Sequence, residues 1–378
     1  PDAGHLAVDS SRTSLGGGYY ALSVAKTSGR LTASITAEQL DPGFEANDLG
    51  FQTRSDTRSV STGTFYRQPW QTRVFQRWSV GVFSTVAATT AGENLERRIA
   101  MFNEAQFRNF WTASLQANLE TGRFNDRLLR GGPLAARPVS SRVELGLQSD
   151  PRKLFIVEAG VEVAVDRAGR RNRGVGVGID WRPSAALRLR VEPEYAWNHL
   201  VDQYVVARDD ALAANTFGRR YVFADVEQRE ARLNTRLDWT FSPYVSLQLF
   251  LQPFASAGRF SHYKEFTTPR AFAFAVYGVE RGTVVRDGAV VTVDPDGAGP
   301  AGSFSFAEQD YTARELRGNA VLRWELRPGS TVFVVWQQQR EGFIGGSADL
   351  DVGGQLGALA TAPSRNVFLV KLAWWLGR

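Results

Sequence analysis

Between Ala313 and Gln339, apolar and polar residues alternate one by one. Leu316, Gly318, Ala320, Leu322, Trp324 and Leu326 fall on even positions, while Arg317, Asn319, Val321, Arg323 and Glu325 fall on odd ones. A period of two marks a strand with one apolar face and one wet face. Arg327-Pro328-Gly329-Ser330 then supplies a tight turn, because Pro presets φ and Gly tolerates positive φ. A second apolar run, Val332 to Trp336, follows directly. The stretch therefore predicts a β-hairpin, and the open question is which solvent meets its apolar face.

The same pattern recurs along the chain. A short first strand is expected at His5 to Asp9, with Leu6 and Val8 on one face. Further apolar rows are Tyr20-Leu22-Val24, Leu31 to Ala37, Val60 to Tyr66, Trp78 to Val82 and Trp111 to Leu119, with a weaker strand near Met101 to Arg108. Val143 to Leu147, Phe155 to Val163, Val175 to Trp181, Leu187 to Trp197, Ala231 to Phe241, Val245 to Leu251 and Phe368 to Leu376 complete the set. Opposite these rows stand charged residues, among them Arg188, Arg190, Glu192, Glu194, Arg232, Arg236, Asp238, Arg317, Arg323 and Glu325. They are the candidate lining of a lumen.

Connection length adds direction. Tight turns are expected near residues 28, 70, 110, 151, 184, 242 and 328. Between them the longer connections fall near 14, 40–55, 89–97, 127–139, 167–170, 208–218, 257–309 and 344–363. Short turns on one side and long loops on the other are the habit of outer-membrane barrels. A soluble sandwich alternates too, but has no reason to sort its loops by parity. Aromatic residues Trp181, Tyr195, Trp197, Trp239, Phe241, Trp324 and Trp374 collect at strand ends on the apolar side, as interfacial girdles require. The expected fold is all-β: one transmembrane antiparallel up-and-down barrel over residues 1–378, with about 16 strands (range 14–18).

Composition sharpens that picture by exclusion. Mean hydropathy is −0.25 and no apolar run reaches the length of a membrane helix, a test that barrel strands escape. Cysteine is absent, which removes disulfides, thiolate metal sites and thiol nucleophiles. The start PDAGHLAVDS lacks the basic and apolar parts of a signal peptide, so Pro1 reads as a mature or truncated start. A 22-stranded plugged transporter does not fit in 378 residues. The net charge is +5, but Arg is interleaved with Asp and Glu instead of gathered in blocks, so no nucleic-acid partner is expected.

Candidate chemistry is sparse. His5, His199 and His262 lie on distant segments, with His199 beside Asn198, and no phosphate loop or HExxH motif occurs. No enzyme activity, cofactor or metal is expected. Asp294-Pro295-Asp296-Gly297 lacks the remaining ligand positions of a calcium loop. In the longest loop, strands at 283–285 and 290–292 flank Asp287-Gly288 as a hairpin, and Phe272, Phe274, Tyr277, Phe304 and Phe306 are placed to fold over a mouth or meet a partner. Arg130, Gly131 and Gly132 are the loop candidates, their glycines permitting close backbone approach.

Four segments carry a family resemblance: residues 319–340 (NAVLRWELRPGSTVFVVWQQQR), Asn125-Asp126-Arg127 with Arg130-Gly131-Gly132-Pro133-Leu134, Phe44 to Phe51, and Asn366 to Lys371. Together they resemble an uncharacterised outer-membrane family that has an N-terminal carbohydrate-binding domain of the family-nine type and a C-terminal barrel of unknown function. The resemblance implies that only the barrel part is present, that a periplasmic or surface domain precedes Pro1 in the whole protein, and that the compartment is the bacterial outer membrane. It brings no catalytic residues. The functional expectation is a porin-like channel for small polar solutes or oligosaccharides. The alternative is a plugged barrel that anchors a partner protein or a carbohydrate-binding domain. Expected partners are outer-membrane lipid, and a protein or glycan at the extracellular loops.

Overall fold

The computed structural model describes residues 6, 11, 13–48 and 50–376. The expected strand at His5 to Asp9 therefore lies, Leu6 apart, outside the described residues. β1 (Tyr19–Lys26), β2 (Leu31–Leu40), β3 (Thr57–Gln68), β4 (Phe75–Ala88), β5 (Asn94–Phe107) and β6 (Thr112–Glu120) run as an antiparallel meander. A loop holding the small pair β7 (Phe124–Asn125) and β8 (Ala135–Ala136) leads to β9 (Ser140–Gln148), β10 (Phe155–Asp166), β11 (Arg171–Ser184), β12 (Leu187–Asp209), β13 (Arg219–Ser242) and β14 (Val245–Phe266). After β14 come β15 (Phe274–Val276) and the three-stranded ribbon β16 (Thr283–Asp287), β17 (Val290–Asp294) and β18 (Phe304–Ala307). The meander then resumes with β19 (Tyr311–Arg327) and β20 (Ser330–Gly345), and after helix α1 (Val352–Ala358) it ends with β21 (Ser364–Ala373).

The chain is thus all-β, built on one 16-stranded antiparallel sheet. Among the described residues fifteen strands follow one another along the meander, and β15 stands off that path against β14. Because fifteen is odd, β1 and β21 run in the same direction.

The hairpin at 327–330 forms as its residues dictate: Arg327 pairs with Ser330, and Gly329 takes φ 80°. Connections at that end of the sheet are 27–30, 69–74, 108–111, 149–154, 185–186, 243–244 and 328–329. The opposite end carries 41–56, 121–139, 210–218, 267–310 and 346–363. Two expectations are corrected at that end. The connections 89–93 and 167–170 are as tight as turns, and the longest loop begins at Thr267, not near 257, because β14 continues to Phe266. A bulge between Phe223 and Asp225 in the β13–β14 register breaks the alternation that would have revealed the longer strand.

The apolar rows share one continuous face and, away from the loop end, stay uncovered. Leu145 is 51% exposed, Ile99 55% and Phe368 72%, and residues of the same parity on the other strands behave alike. The whole chain exposes 22215 Å², against about 15,000 Å² for a compact soluble protein of this mass. The clusters of buried apolar side chains lie at the loop end, where β12–β14 outrun their neighbours. There Val222, Ala224 and Val226 pack under Val291, Val293 and Phe306 of the ribbon, while Tyr221 and Phe223 on the other face meet Leu129, Ala135 and Phe266. Helix α1 lays Val352 and Leu356 on Ala231, Ala255 and Ala257 of the apolar face.

Candidate functional site

Strand register places the polar residues in rows across the opposite face. Glu162 of β10 stands between Glu144 of β9 and Gly174 of β11, and Gly160 stands between Gly146 and Gly176. Continuing that second row, Gly176 faces Glu194, Glu194 faces Arg232, and Arg232 faces Phe254. These residues, with Glu104, Glu158, Glu192 and Glu230, line a concavity of about 630 Å³. A Cβ on Gly160 would meet nothing nearer than 3.8 Å. Glycine is therefore not demanded by close packing there; its effect is to leave the concavity open.

Facing glutamates repel unless a cation separates them. Arg142 does so, its Nε lying 2.7 Å from Glu144 Oε1 and its Nη2 2.6 Å from Glu162 Oε2. Arg190 plays the same part between Glu158 (2.9 Å) and Glu192 (2.8 Å). Arg188 and Arg182 both donate to Asp180, a carboxylate only 3% exposed. Arg317 pairs with Glu315 at 2.6 Å, and Arg323 with Glu325 at 2.7 Å. Arg232 lies 3.7 Å from Glu194. Arg236 faces Arg190 and Phe250, and Asp238 faces Arg188. The expected lining residues thus share one face, but their partners Glu158 and Asp180, and the Arg142–Glu144–Glu162 cluster beside them, were not among them. The alternation assigns a residue to a face; only register says which neighbour it meets.

Loops converge over the same concave side. Arg270, just past β14, donates to both carboxylate oxygens of Glu93 at 2.8 Å, and Glu93 lies in the β4–β5 connection. Seven strands separate β14 from β4, a lateral distance of about 38 Å in a flat sheet. Four residues beyond Phe266 reach at most about 14 Å. The sheet is therefore strongly curled, with its polar face inside. Arg54 with Asp126, Arg127 with the Thr53 carbonyl, and Arg270 N–H with the Leu134 carbonyl extend the clamp.

The loop candidates belong to this assembly. Arg130, at φ 50°, lies over the Tyr204 ring at 4.1 Å, and a Cβ on Gly132 would strike the Tyr221 ring at 2.6 Å. Gly131, at φ 100°, has open space around it. Close approach is what Gly132 provides.

Beneath the ribbon, buried Arg220 reaches Asp210 at 2.6 Å and Glu265 at 2.8 Å, and the Tyr277 hydroxyl donates to Glu265 at 2.6 Å. Burial first, and then Glu265, pushes the Tyr277 hydroxyl well above its usual range, while the Arg220 hydrogen bond lowers Asp210. His199 pairs with Glu227 at 2.8 Å. In His262 the same nitrogen, Nδ1, meets Ser261 (3.3 Å) and Asp225 (3.1 Å), so the ring does not bridge them as a relay would. Asp294 accepts from the N–H groups of Asp296 and Gly297, closing a turn. The hairpin of the ribbon turns at Gly288-Ala289, one residue later than Asp287-Gly288, and β18 is a third strand that the pattern did not announce.

At the short-turn end, arginines lie on aromatic rings of other turns: Arg30 on Trp70 (3.8 Å), Arg152 on Phe110 (3.3 Å) and Arg327 on Trp374 (4.1 Å). Residues 5–377 match a family described as a domain of unknown function, DUF5916. No curated protein matches the chain.

Proposed function

The chain belongs to the DUF5916 family, and from that premise we propose that it is a bacterial outer-membrane β-barrel whose charged lumen passes small polar solutes. In this reading the sheet closes on itself, the edge at β21 meeting the edge at β1. Lipid covers the apolar face, and the long loops are extracellular. The observation that carries this reading is the broad exposed apolar face, set against a concave face of paired charges. No helix among the described residues is long and apolar enough to cross a membrane; in this reading the strands do the crossing. Arginine–aromatic pairs along the short-turn rim suit the headgroup level, where a polar tip and an apolar ring are both satisfied.

Paired charges set the transport character. Arg142, Arg188 and Arg190 neutralise neighbouring carboxylates, so the wall offers hydrogen-bonding groups more than a field of one sign. Planar-bilayer recording tests the reading, and a steady open current is the result expected. The Arg270–Glu93 clamp favours a second reading, a plugged barrel that serves as anchor or scaffold for a protein or glycan at its loops. Silence from the wild type, with current appearing in Arg270→Ala, supports that second reading. Silence from both removes transport altogether.

A further inference from the structure

Three neighbouring aromatic side chains of β3–β5 stand on the polar face, where the alternation calls for hydrophilic residues. Phe65, Phe83 and Phe102 come from β3, β4 and β5. Gly81 is the residue opposite both Phe65 and Phe102, and Gly63 is opposite Phe83. A Cβ on Gly81 would lie 2.8 Å from the rings of Phe65 and Phe83, and one on Gly63 would lie 2.9 Å from Phe83. The rings therefore cover glycine backbone with one side, as aromatic residues do to shield a bare strand. Their other side stays open: Phe83 is 39% exposed and Phe102 38%, edge to face at 5.5 Å.

Polar groups surround this strip. A second concavity, about 640 Å³, is lined by Phe65 and Phe102 together with Arg67, Arg77, Glu104 and Gln116. Its Glu104 and Ser114 also line the first concavity, so the two adjoin. Volumes of this order hold small organic ligands. A ligand suited to flat apolar surfaces ringed by donors and acceptors has a C–H face and a rim of hydroxyls. Pyranose rings have both.

We propose that Phe65, Phe83 and Phe102 form a stacking strip for the sugar rings of an oligosaccharide inside the lumen, with Arg67, Arg77, Glu104 and Gln116 receiving its hydroxyls. The proposal rests on the reading of the polar face as a solute-accessible lumen. It places glycan contact on the wall of β3–β5 and not on the extracellular loops. Successive strands set neighbouring rings about 5 Å apart, so a chain of linked sugars meets more than one ring at a time. Binding is weak at each ring and repeated along the strip, which lets the solute move on.

The test is equilibrium titration calorimetry of the detergent-folded chain with malto-, cello- and xylo-hexaose, alongside bilayer conductance in salt alone. Saturable binding of at least one hexaose is expected, weakened about tenfold or more in a Phe83→Ala/Phe102→Ala variant. Phe83→Tyr/Phe102→Tyr, which keeps the ring faces, is expected to restore it. Strand content by circular dichroism confirms that each variant is folded. Absence of binding by all three sugars, or equal binding by the alanine variant, overturns the proposal. Conductance in salt alone reports separately on the pore, so a conducting chain that binds no sugar loses only the stacking strip.

Discussion

Asp180 holds two arginines at once, and its own side chain has almost no contact with solvent. Taking its charge away leaves Arg182 and Arg188 without their acceptor. Asp180→Asn is expected to lower stability by about 2 kcal/mol, measured by urea unfolding of the lipid-folded chain. Asp150 makes the same kind of contact in a turn outside the membrane, where hydrogen bonds from Arg152 hold its carboxyl down at about 2. A lowered carboxylate pKa stabilises the folded state above the ordinary value near 3.8 and loses that contribution as pH falls toward 2. Asp150→Asn is therefore expected to be less stable than wild type at about pH 6, with the difference fading by about pH 2 in acid titrations of the two chains. Arg188, Arg190 and Arg323 were readable as wet-face residues from spacing alone. The partnership with Asp180 was not, since Asp180 sits on β11 in a run of glycine and valine whose polar members draw no notice.

Single elements show where periodicity stops being informative. The hairpin at 327–330 is legible because Pro328 fixes its own φ and Gly329 admits the positive φ that the turn needs. The distal ends of β12–β14 are not, because bulges between Leu200 and Gln203 and between Tyr204 and Val206 shift the register. Helix α1 was hidden for another reason: Val352–Ala358 holds three glycines and spans seven residues, too few turns to show a helical stripe. It exists because it is held. Arg340 Nη1 donates to the carbonyls of Leu359, Ala360 and Ala362 just past the end of α1, and Arg314 Nη1 donates to Gln355 at 2.7 Å. Arg340→Ala is expected to free the 346–363 connection while the strands persist. Limited proteolysis then cuts the variant there at least about tenfold faster than wild type, reflecting local opening made easier by over 1 kcal/mol.

At the scale of the whole molecule, alternation and loop sorting revealed a large antiparallel β architecture with one apolar face. Curvature came only from the structure, because Arg270 and Glu93 are 177 residues apart and nothing in the sequence ties them. Ring closure is open to direct chemistry, since the chain has no cysteine of its own. Cysteines scanned along 20–25 and 366–372 are expected to join through a disulfide or a linker of about 10 Å, as the two edges of a closed ring lie within one or two 4.8 Å strand spacings. An open sheet gives neither product on a gel, and direct contact of the two edges gives the disulfide.

The central claim is that hydrocarbon covers the face bearing Leu145, Val161, Val177 and Phe368. Sedimentation velocity of the purified chain in buffer free of detergent and lipid tests it most directly. The account predicts aggregation there, and a folded, dispersed species once detergent or lipid is supplied. A folded monomer sedimenting cleanly in plain buffer would contradict it.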